Sequence, residues 1–306
     1  MNQTMTLRHW PVLLLTAALF GSSFLFINIA VKEIPPLSLA AGRALLAVPI
    51  GLLMLRAIGL RLPRLGRAWL PLIVLGIFTA AIPYAAIAWG QRHIESGLAG
   101  ILFGTIPVFS VVLTPLLARD ERFSSGRILG ALIGFAGVVL VIGPKALGGL
   151  DGQLLGAGVT LGAALAYALG AIYARTKPDI HPAQMTAGQL VVASIVLSAG
   201  ALAFDTPWQL EPSLAALGAV AWTAVLSTAL PVILLFWLIR NVGATNASIA
   251  TFFMPVVAVA LGALLLGEQL PWQAFAGLGL ILLGALAVNG VIPGLRSSQA
   301  ADGRAG

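Results

Sequence analysis

The sequence predicts an all-α integral membrane protein with ten transmembrane helices, arranged as two inverted five-helix repeats. Three observations predict this fold class: long apolar runs, a one-sided distribution of basic residues, and an internal repeat at an offset of about 147 residues. Of the 306 residues, 59% are hydrophobic and only 9% are charged. A soluble domain carries roughly 25% charged residues.

The apolar runs have the length that a membrane-spanning helix requires, because about 20 apolar residues cross a hydrocarbon core about 30 Å thick. A soluble enzyme built from these runs would have almost no polar surface. A β-barrel would instead show alternating segments of about ten residues. The predicted transmembrane helices, numbered one to ten along the chain, cover residues 10–31, 37–55, 69–89, 96–117, 127–143, 153–174, 184–204, 213–238, 245–266 and 272–292.

The basic residues fall on one side of this predicted bundle. With a cytoplasmic N-terminus, 13 of the 17 Lys and Arg residues lie in cytoplasmic loops or tails, and Arg43 lies inside helix two. The outer loops receive only Lys32, Arg92 and Lys145. This positive-inside bias predicts that both termini are cytoplasmic. The same distribution explains the net charge of +7, so no nucleic-acid partner is predicted.

The two halves of the sequence match each other at a nearly constant offset. Five helices per repeat is an odd number, so the halves must cross the membrane in opposite directions. We therefore predict a first repeat over residues 1–148, a second over 149–295 and a disordered cytoplasmic tail over 296–306. The matched pairs include Arg43 with Gln189, Pro83 with Pro231, Trp89 with Trp237, Pro107 with Pro255, and Glu121 with Glu268.

Short motifs at corresponding places carry a family resemblance. The first half opens with Leu19-Phe20-Gly21-Ser22-Ser23-Phe24, followed by Lys32, a proline pair and Arg43, and the second ends with Gly267-Glu268-Gln269-Leu270, Gly277 and Gly284. With these motifs, residues 10–292 resemble the ten-helix, two-repeat (EamA-type) branch of the drug/metabolite transporter superfamily. One departure is the acidic turn of the first half, which reads Arg119-Asp120-Glu121-Arg122 where the second half has Gly-Glu.

The resemblance implies a carrier of the bacterial inner membrane that exports or exchanges small metabolites, often amino acids, by alternating access. It also implies a central cavity lined mainly by helices one, three, four, six, eight and nine, with the other four helices peripheral. The expected partners are a small-molecule substrate and the lipid bilayer. A multidrug, nucleoside or nucleotide-sugar carrier of the same fold stays open, as do a passive channel and, from a different class, a membrane enzyme acting on lipid substrates.

Arg43 is the ionisable residue that lies well inside a predicted helix. It follows Leu37 by six residues, which places it roughly 9 Å below the outer end of helix two. An arginine at the bilayer centre costs at least about 2.5 kcal/mol. Two interpretations fit this position: an anchor for a substrate carboxylate, and a structural tie between helices.

The remaining ionisable residues argue against catalysis and metal binding. All ten Asp and Glu residues lie in loops, tails or helix ends, so a membrane-embedded carboxylate relay is not predicted. The three histidines are separated along the chain, and cysteine is absent, which excludes thiol chemistry and cysteine-ligated metals. The sequence therefore predicts that the chain is not an enzyme and needs no cofactor.

Aromatic and hydroxyl residues inside the predicted helices are the other candidates for substrate binding. Tryptophans near helix ends are equally explained as anchors at the membrane interface, and a buried tyrosine needs a hydrogen-bond partner. Besides Arg43, the predicted substrate-binding residues are Phe20, Ser23, Tyr84, Trp89, Thr105, Tyr167, Trp237 and Thr251.

Four prolines and a glycine series have structural interpretations. Proline leaves a carbonyl of the preceding turn without its usual donor, so Pro83, Pro107, Pro231 and Pro255 are predicted hinges, although simple kinks explain them equally well. Gly130, Gly134 and Gly137 share one face of helix five, which is typical of close helix packing. That packing fits either the bundle itself or a homo-oligomer.

Overall fold

The computed structural model describes residues 5–117, 125–146, 152–177 and 179–288. Within these ranges the regular structure is entirely helical, which confirms the predicted all-α fold. Eight helical segments there are long and apolar enough to cross a membrane, and two shorter apolar helices cover Ile128–Ile142 and Trp272–Ala287. The chain is therefore a multi-pass membrane protein, whereas the count of ten spans stays a prediction. The predicted tail over 296–306 lies outside the described residues.

The described part of the first predicted repeat contains seven α-helices and one π-helix, besides a 3₁₀ turn at Arg67–Trp69. Predicted helix three is made of α3, the π-helix and α4, and predicted helix four is made of α5 and α6. The helices are α1 (His9–Ala30), α2 (Pro36–Ala57), α3 (Leu70–Leu75), the first π-helix (Gly76–Ala81), α4 (Ile82–Gly90), α5 (Ser96–Phe103), α6 (Ile106–Leu117) and α7 (Ser125–Ala146).

The second predicted repeat has a similar series. Predicted helix eight is made of α10, a second π-helix and the first part of α11, which is interrupted at Gly243, where φ is 80°. Such a positive φ favours glycine. The helices are α8 (Gly152–Arg175), α9 (Pro182–Phe204), α10 (Leu214–Ala224), the second π-helix (Val225–Ala229), α11 (Leu230–Ala247), α12 (Ile249–Leu266) and α13 (Trp272–Val288).

The two π-helices occupy corresponding positions, and each ends just before a proline. Pro83 and Pro231 are the second residues of α4 and α11. Proline cannot donate to the carbonyl four residues earlier, and its ring clashes with that carbonyl. A π-turn bonds residues five apart and widens the helix at this point. In the second π-helix the hydroxyl of Thr228 donates to the carbonyl of Thr223, five residues earlier, at 2.7 Å.

Equivalent helices of the two repeats pack in equivalent ways. The α2 helix packs against α9, and α7 packs against α13, so each contacts its own counterpart. The α1 helix packs against α10, α11 and α12 of the second repeat, while α8 packs against α4, α5 and α6 of the first. A pseudo-two-fold axis between the repeats would produce this exchange. The inverted orientation of the two repeats stays a prediction.

The interface between α7 and α13 is built on glycine. A Cβ atom placed on Gly137 would lie 2.7 Å from the carbonyl oxygen of Gly277, and one on Gly284 would lie 2.6 Å from the backbone nitrogen of Gly134. Real side chains do not approach so closely, so the two backbones are in direct contact, as small residues permit in membranes. The glycines of predicted helix five thus pack within this chain.

We call the end of the bundle at which α1 begins the near end, and the end at which α1 finishes the far end. The largest cluster of buried apolar side chains lies mainly toward the far end and joins both repeats, with Ile27 of α1, Leu102 of α5 and Val220 of α10 among its members. Two smaller clusters lie toward the near end, around Leu13 and around Leu55. The most continuous apolar packing between the repeats is therefore at the far end.

Candidate functional site

Arg43 lies at the junction of the two repeats, with a relative exposure of 7%. Its Nε donates to Thr228 Oγ1 of the second π-helix at 2.9 Å. Its Cζ lies 4.0 Å from the centroid of the Tyr84 ring, which is a cation–π geometry. A guanidinium has five N–H donors, and the hydrogen bond to Thr228 uses only one. In the described part of the chain no carboxylate pairs with it.

A second polar tie occupies the corresponding position of the other repeat. Gln189 of α9, which the offset matches with Arg43, accepts a hydrogen bond through its Oε1 from the hydroxyl of Thr79 in the first π-helix. Each repeat thus contributes a polar side chain from its second helix to the π-helix of the other repeat. Because Gln189 is neutral and Arg43 is charged, the two ties share geometry but differ in their capacity to bind an anion.

Next to Arg43, a group of hydroxyls and one indole forms the rest of the polar centre. Ser22 Oγ of α1 lies 3.0 Å from Ser227 Oγ of the second π-helix, and Trp222 Nε1 donates to Ser22 Oγ at 3.1 Å. The Trp222 ring stacks on Phe26 with centroids 4.3 Å apart. Ser227 directly precedes Thr228, the acceptor for Arg43, so the two sets of contacts use neighbouring residues of the second π-helix. We call Arg43, Thr228, Ser227, Ser22 and Trp222 together the polar centre.

Aromatic rings extend from this centre toward α8. Tyr84 lies under the guanidinium, and Phe103 of α5 packs edge-to-face on Tyr167 of α8 with centroids 5.8 Å apart. Tyr167 is 38% exposed although it lies in the middle of a long apolar helix. Rings beside a buried cation offer an apolar surface next to a charge, which suits a ligand with one carboxylate and an apolar body.

The other predicted substrate-binding residues lie at several places in the bundle. Ser23 and Thr105 are buried, and the Thr105 hydroxyl donates to the Leu102 carbonyl at 2.6 Å where α5 ends. Phe20 packs against the large apolar cluster. The exposed Thr251 donates to the Ser248 carbonyl at 2.7 Å near the start of α12.

The two matched tryptophans lie at opposite ends of the bundle. Trp89 packs on His93 at the far end, with ring centroids 4.7 Å apart. Trp237 is 43% exposed and packs on His9 at the near end, at 5.9 Å. The structure therefore does not bring these tryptophans together around Arg43, and their positions near the two ends match interfacial anchors.

The predicted hinge prolines also differ in their surroundings. Pro83 and Pro231 follow the π-helices, and Pro107 follows the break between α5 and α6. Pro255 lies inside the continuous helix α12. Three of the four therefore follow a π-helix or a break between two helices, and their role as hinges stays a prediction.

A carboxylate at the far end connects the two repeats. Glu268, in the loop after α12, accepts hydrogen bonds from the backbone nitrogens of Ser96 at 2.7 Å and Gly97 at 2.9 Å. These N–H groups belong to the first turn of α5, where the helix has no internal acceptors for them. A carboxylate is favoured there also by the positive end of the helix dipole. Glu268 of the second repeat thus caps the N-terminus of α5 in the first repeat.

Two more carboxylates make similar contacts at the same end. Asp205 accepts a hydrogen bond from the backbone nitrogen of Ser38, near the start of α2, at 2.7 Å. Glu33 accepts from the backbone nitrogen of Ser213 at 2.7 Å and from its hydroxyl at 2.9 Å, just before α10. The backbone hydrogen bond and then the hydroxyl of Ser213 lower the pKa of Glu33. All three contacts connect one repeat with the other.

No metal site is formed by the described residues, which contain no group of three or more His, Asp or Glu side chains placed to bind an ion. Four residues of the polar centre were not among the predicted candidates: Ser22, Trp222, Ser227 and Thr228. Thr79 and Gln189 of the second tie were not among them either. The repeat alignment had matched Gln189 with Arg43, and that match was the one available signal.

A helical bundle of two related repeats, with interrupted helices and buried polar side chains between them, is typical of membrane transporters. The model of the EamA-like transporter family matches residues 10–143 and again residues 154–290. The chain belongs to the EamA-like transporter family. The two matches also agree with the division of the sequence into two related halves.

Similar proteins carry transporter names. An uncharacterized transporter of Archaeoglobus fulgidus is 26% identical over 91% of this chain and 97% of that protein. YedA of Escherichia coli K12, named an uncharacterized inner membrane transporter, is 29% identical over 89% of this chain and 87% of its own length. A probable terminal-alkyne amino-acid exporter of Streptantibioticus cattleyicolor is 26% identical over 95% of this chain and 97% of that protein.

The fold is also similar to that of a solved structure. A crystal structure covering 94% of this chain and 99% of its own chain superposes with a TM-score of 0.66 at 17% sequence identity. At this identity the likeness concerns the fold alone.

Proposed function

We propose that the chain is a bacterial inner-membrane carrier that exports or exchanges amino acids by alternating access. The ten-span topology, the cytoplasmic position of both termini and the hinge role of the prolines are parts of this proposal. In this topology the near end faces the cytoplasm and the far end faces outward. The name of the Streptantibioticus relative supports amino acids as the substrate class.

The observation that carries the proposal is the guanidinium of Arg43. It is buried among apolar helices, pairs with no carboxylate in the described part of the chain, and has donors beyond the one that binds Thr228. A buried cation is costly unless an anion or several acceptors compensate it. The α-carboxylate of an amino acid supplies such an anion, and Arg binds carboxylates with two parallel hydrogen bonds.

The contacts between the repeats suggest how access would alternate. The far end is closed by the carboxylate contacts of Glu33, Asp205 and Glu268 and by the largest apolar cluster. Opening this end requires those contacts to break as the repeats rock about the polar centre. The π-helices and their prolines lie beside that centre, where a helix bends at low cost because an α-helical hydrogen bond is already missing.

Counterflow in proteoliposomes tests this function. Liposomes containing the purified chain are loaded with an unlabelled amino acid, and uptake of the labelled one is followed for a panel of amino acids. We expect saturable uptake that the internal amino acid stimulates. Arg43→Gln should raise the half-saturation concentration at least tenfold, because a hydrogen bond to a charged group is worth about 1.5–3 kcal/mol.

The matched control is Gln189→Ala, which breaks the equivalent tie to Thr79 but leaves the guanidinium in place. Arg43→Gln gives both repeats the same residue at this position, so the pair of variants separates charge from structural tying. An equal rise of the half-saturation concentration in the two variants would show that Arg43 acts only as a structural contact between the helices. Uptake at the level of empty liposomes for the whole panel would refute amino-acid transport, and uptake of nucleosides or cationic drugs would then replace it.

A further inference from the structure

A pocket of about 300 Å³ opens at the far end, and its lining includes Glu268, which binds the start of α5. It is formed where both repeats meet: the end of α1, the turn between α4 and α5, the start of α8 and the end of α12. Its volume lies at the lower limit of small-molecule sites. The pocket is separate from the polar centre around Arg43, since the two share no residue.

The walls of this pocket carry charges of both signs. Lys32 and Arg92 supply two cations, and Glu95 and Glu268 supply two carboxylates. Gln91 belongs to the same lining and is only 4% exposed. Its Oε1 and Nε2 are both buried and have no hydrogen-bond partner. Buried polar groups are nearly always paired, so an unpaired carboxamide in a pocket lining points to a polar ligand that completes it.

We propose that the far-end pocket is a second binding site, which takes small zwitterions with an ammonium and a carboxylate group, as in an α-amino acid. Lys32 and Arg92 attract the carboxylate, Glu95 and Glu268 attract the ammonium, and the carboxamide of Gln91 offers both a donor and an acceptor. A simple anion or cation would meet walls of its own sign as well as the opposite one. The binding itself does not depend on transport, but its role as an outer waiting site for substrate rests on the proposed function.

A single introduced thiol reports occupancy of the pocket, because the chain contains no cysteine. Leu266 lines the pocket and is apolar, so Leu266→Cys leaves the charged groups intact. The rate of modification by a polar maleimide is measured in nanodiscs with and without L-leucine. Two analogues carry one charge each: 4-methylpentanoate lacks the ammonium, and 3-methylbutylamine lacks the carboxylate.

We expect L-leucine to slow the modification and the two analogues to leave it unchanged at the same concentration. In the Leu266→Cys background, Arg92→Gln should raise the L-leucine concentration for half-protection about fivefold, the upper range for one exposed ion pair. Arg43→Gln should leave it unchanged. Protection by either analogue at that concentration, or an unchanged half-protection concentration in Arg92→Gln, would overturn the zwitterion site.

Gln91→Leu separates ligand binding from a purely structural role. Removing a buried unpaired carboxamide should raise the melting temperature of the ligand-free protein, while the protection by L-leucine should weaken. Unchanged protection in this variant would refute the role of Gln91. The two proposals also fail separately. If the chain transports amino acids but L-leucine does not protect the Leu266→Cys thiol, the proposal of a far-end binding site is wrong. If L-leucine protects the thiol but no amino acid is transported, the proposed carrier function is wrong and the binding site stands.

Discussion

Replacing Glu268 by glutamine tests whether a carboxylate holds the far end shut. The carboxylate accepts hydrogen bonds from two backbone nitrogens of α5, at 2.7 and 2.9 Å. A carboxamide has one acceptor oxygen, so one bond to a charged acceptor is lost, at about 1.5 kcal/mol. The favourable interaction with the helix dipole adds about 0.5 kcal/mol. The closed far end should therefore lose about 2 kcal/mol, or a factor of about 30 in population.

The assay uses a thiol that only an open far end exposes. Ser96 is fully buried and its hydroxyl has no partner, so Ser96→Cys is a small change that adds the chain's sole thiol. Its modification by a polar maleimide in nanodiscs is compared with and without Glu268→Gln. We expect the rate to rise by up to about thirtyfold, because modification follows the open population when reclosure is fast.

Glu211→Gln is the matched control, because it removes the same charge from an exposed loop residue at the same end. This variant should leave the rate of modification unchanged. An unchanged rate in Glu268→Gln would refute the reasoning that its two hydrogen bonds hold the closure. An equal rise in both variants would show that the loss of surface charge, and not the helix cap, opens the far end.

Two further predictions concern stability. Hydrogen bonds from Ser213 lower the pKa of Glu33 below its ordinary value of 4.5, so this contact stabilises the fold above that pH and is lost as the pH falls through the lowered pKa. Melting temperatures measured in nanodiscs from neutral to acidic pH should therefore fall less in Glu33→Gln than in the unmodified chain; equal slopes would contradict this. Gly137→Ala should destabilise the chain by about 1–3 kcal/mol, because its new Cβ would meet the backbone of Gly277. Gly279→Ala is the control, because nothing lies within 4 Å of its new Cβ, and it should be neutral or slightly stabilising. The free energy of unfolding of both variants is measured by denaturant titration. An equal decrease in the two variants would contradict the packing argument.

The apolar runs predicted the helical segments because membrane crossing imposes both length and composition. The sequence could not show where these segments break. The π-helices before Pro83 and Pro231 depend on how neighbouring helices hold the widened turn. For the same reason Thr228 could not be chosen as the partner of Arg43, since the inserted residue of a π-turn changes which side chain faces a neighbouring helix.

The repeat offset was informative for one pair of residues and misleading for another. It matched Arg43 with Gln189, and both make a tie to the opposite π-helix. It also matched Trp89 with Trp237, which lie at opposite ends of the bundle. An inverted repeat places matched residues on opposite sides of the membrane unless they lie near its centre. Arg43 and Gln189 each lie inside a long helix and contact the π-helix of the other repeat, whereas the tryptophans lie near the ends of their helices.

The acidic residues of the far end join the two repeats through the hydrogen bonds of Glu33, Asp205 and Glu268. Membrane orientation depends on the positions of Lys and Arg, and acidic residues contribute little to it. Adding lysines at the far end to reverse insertion would place cations beside these carboxylates and would also disturb the contacts between the repeats. Topology is better probed through the arginines of the near-end loops, whose charges set orientation, so that an inverted molecule is not mistaken for an open one.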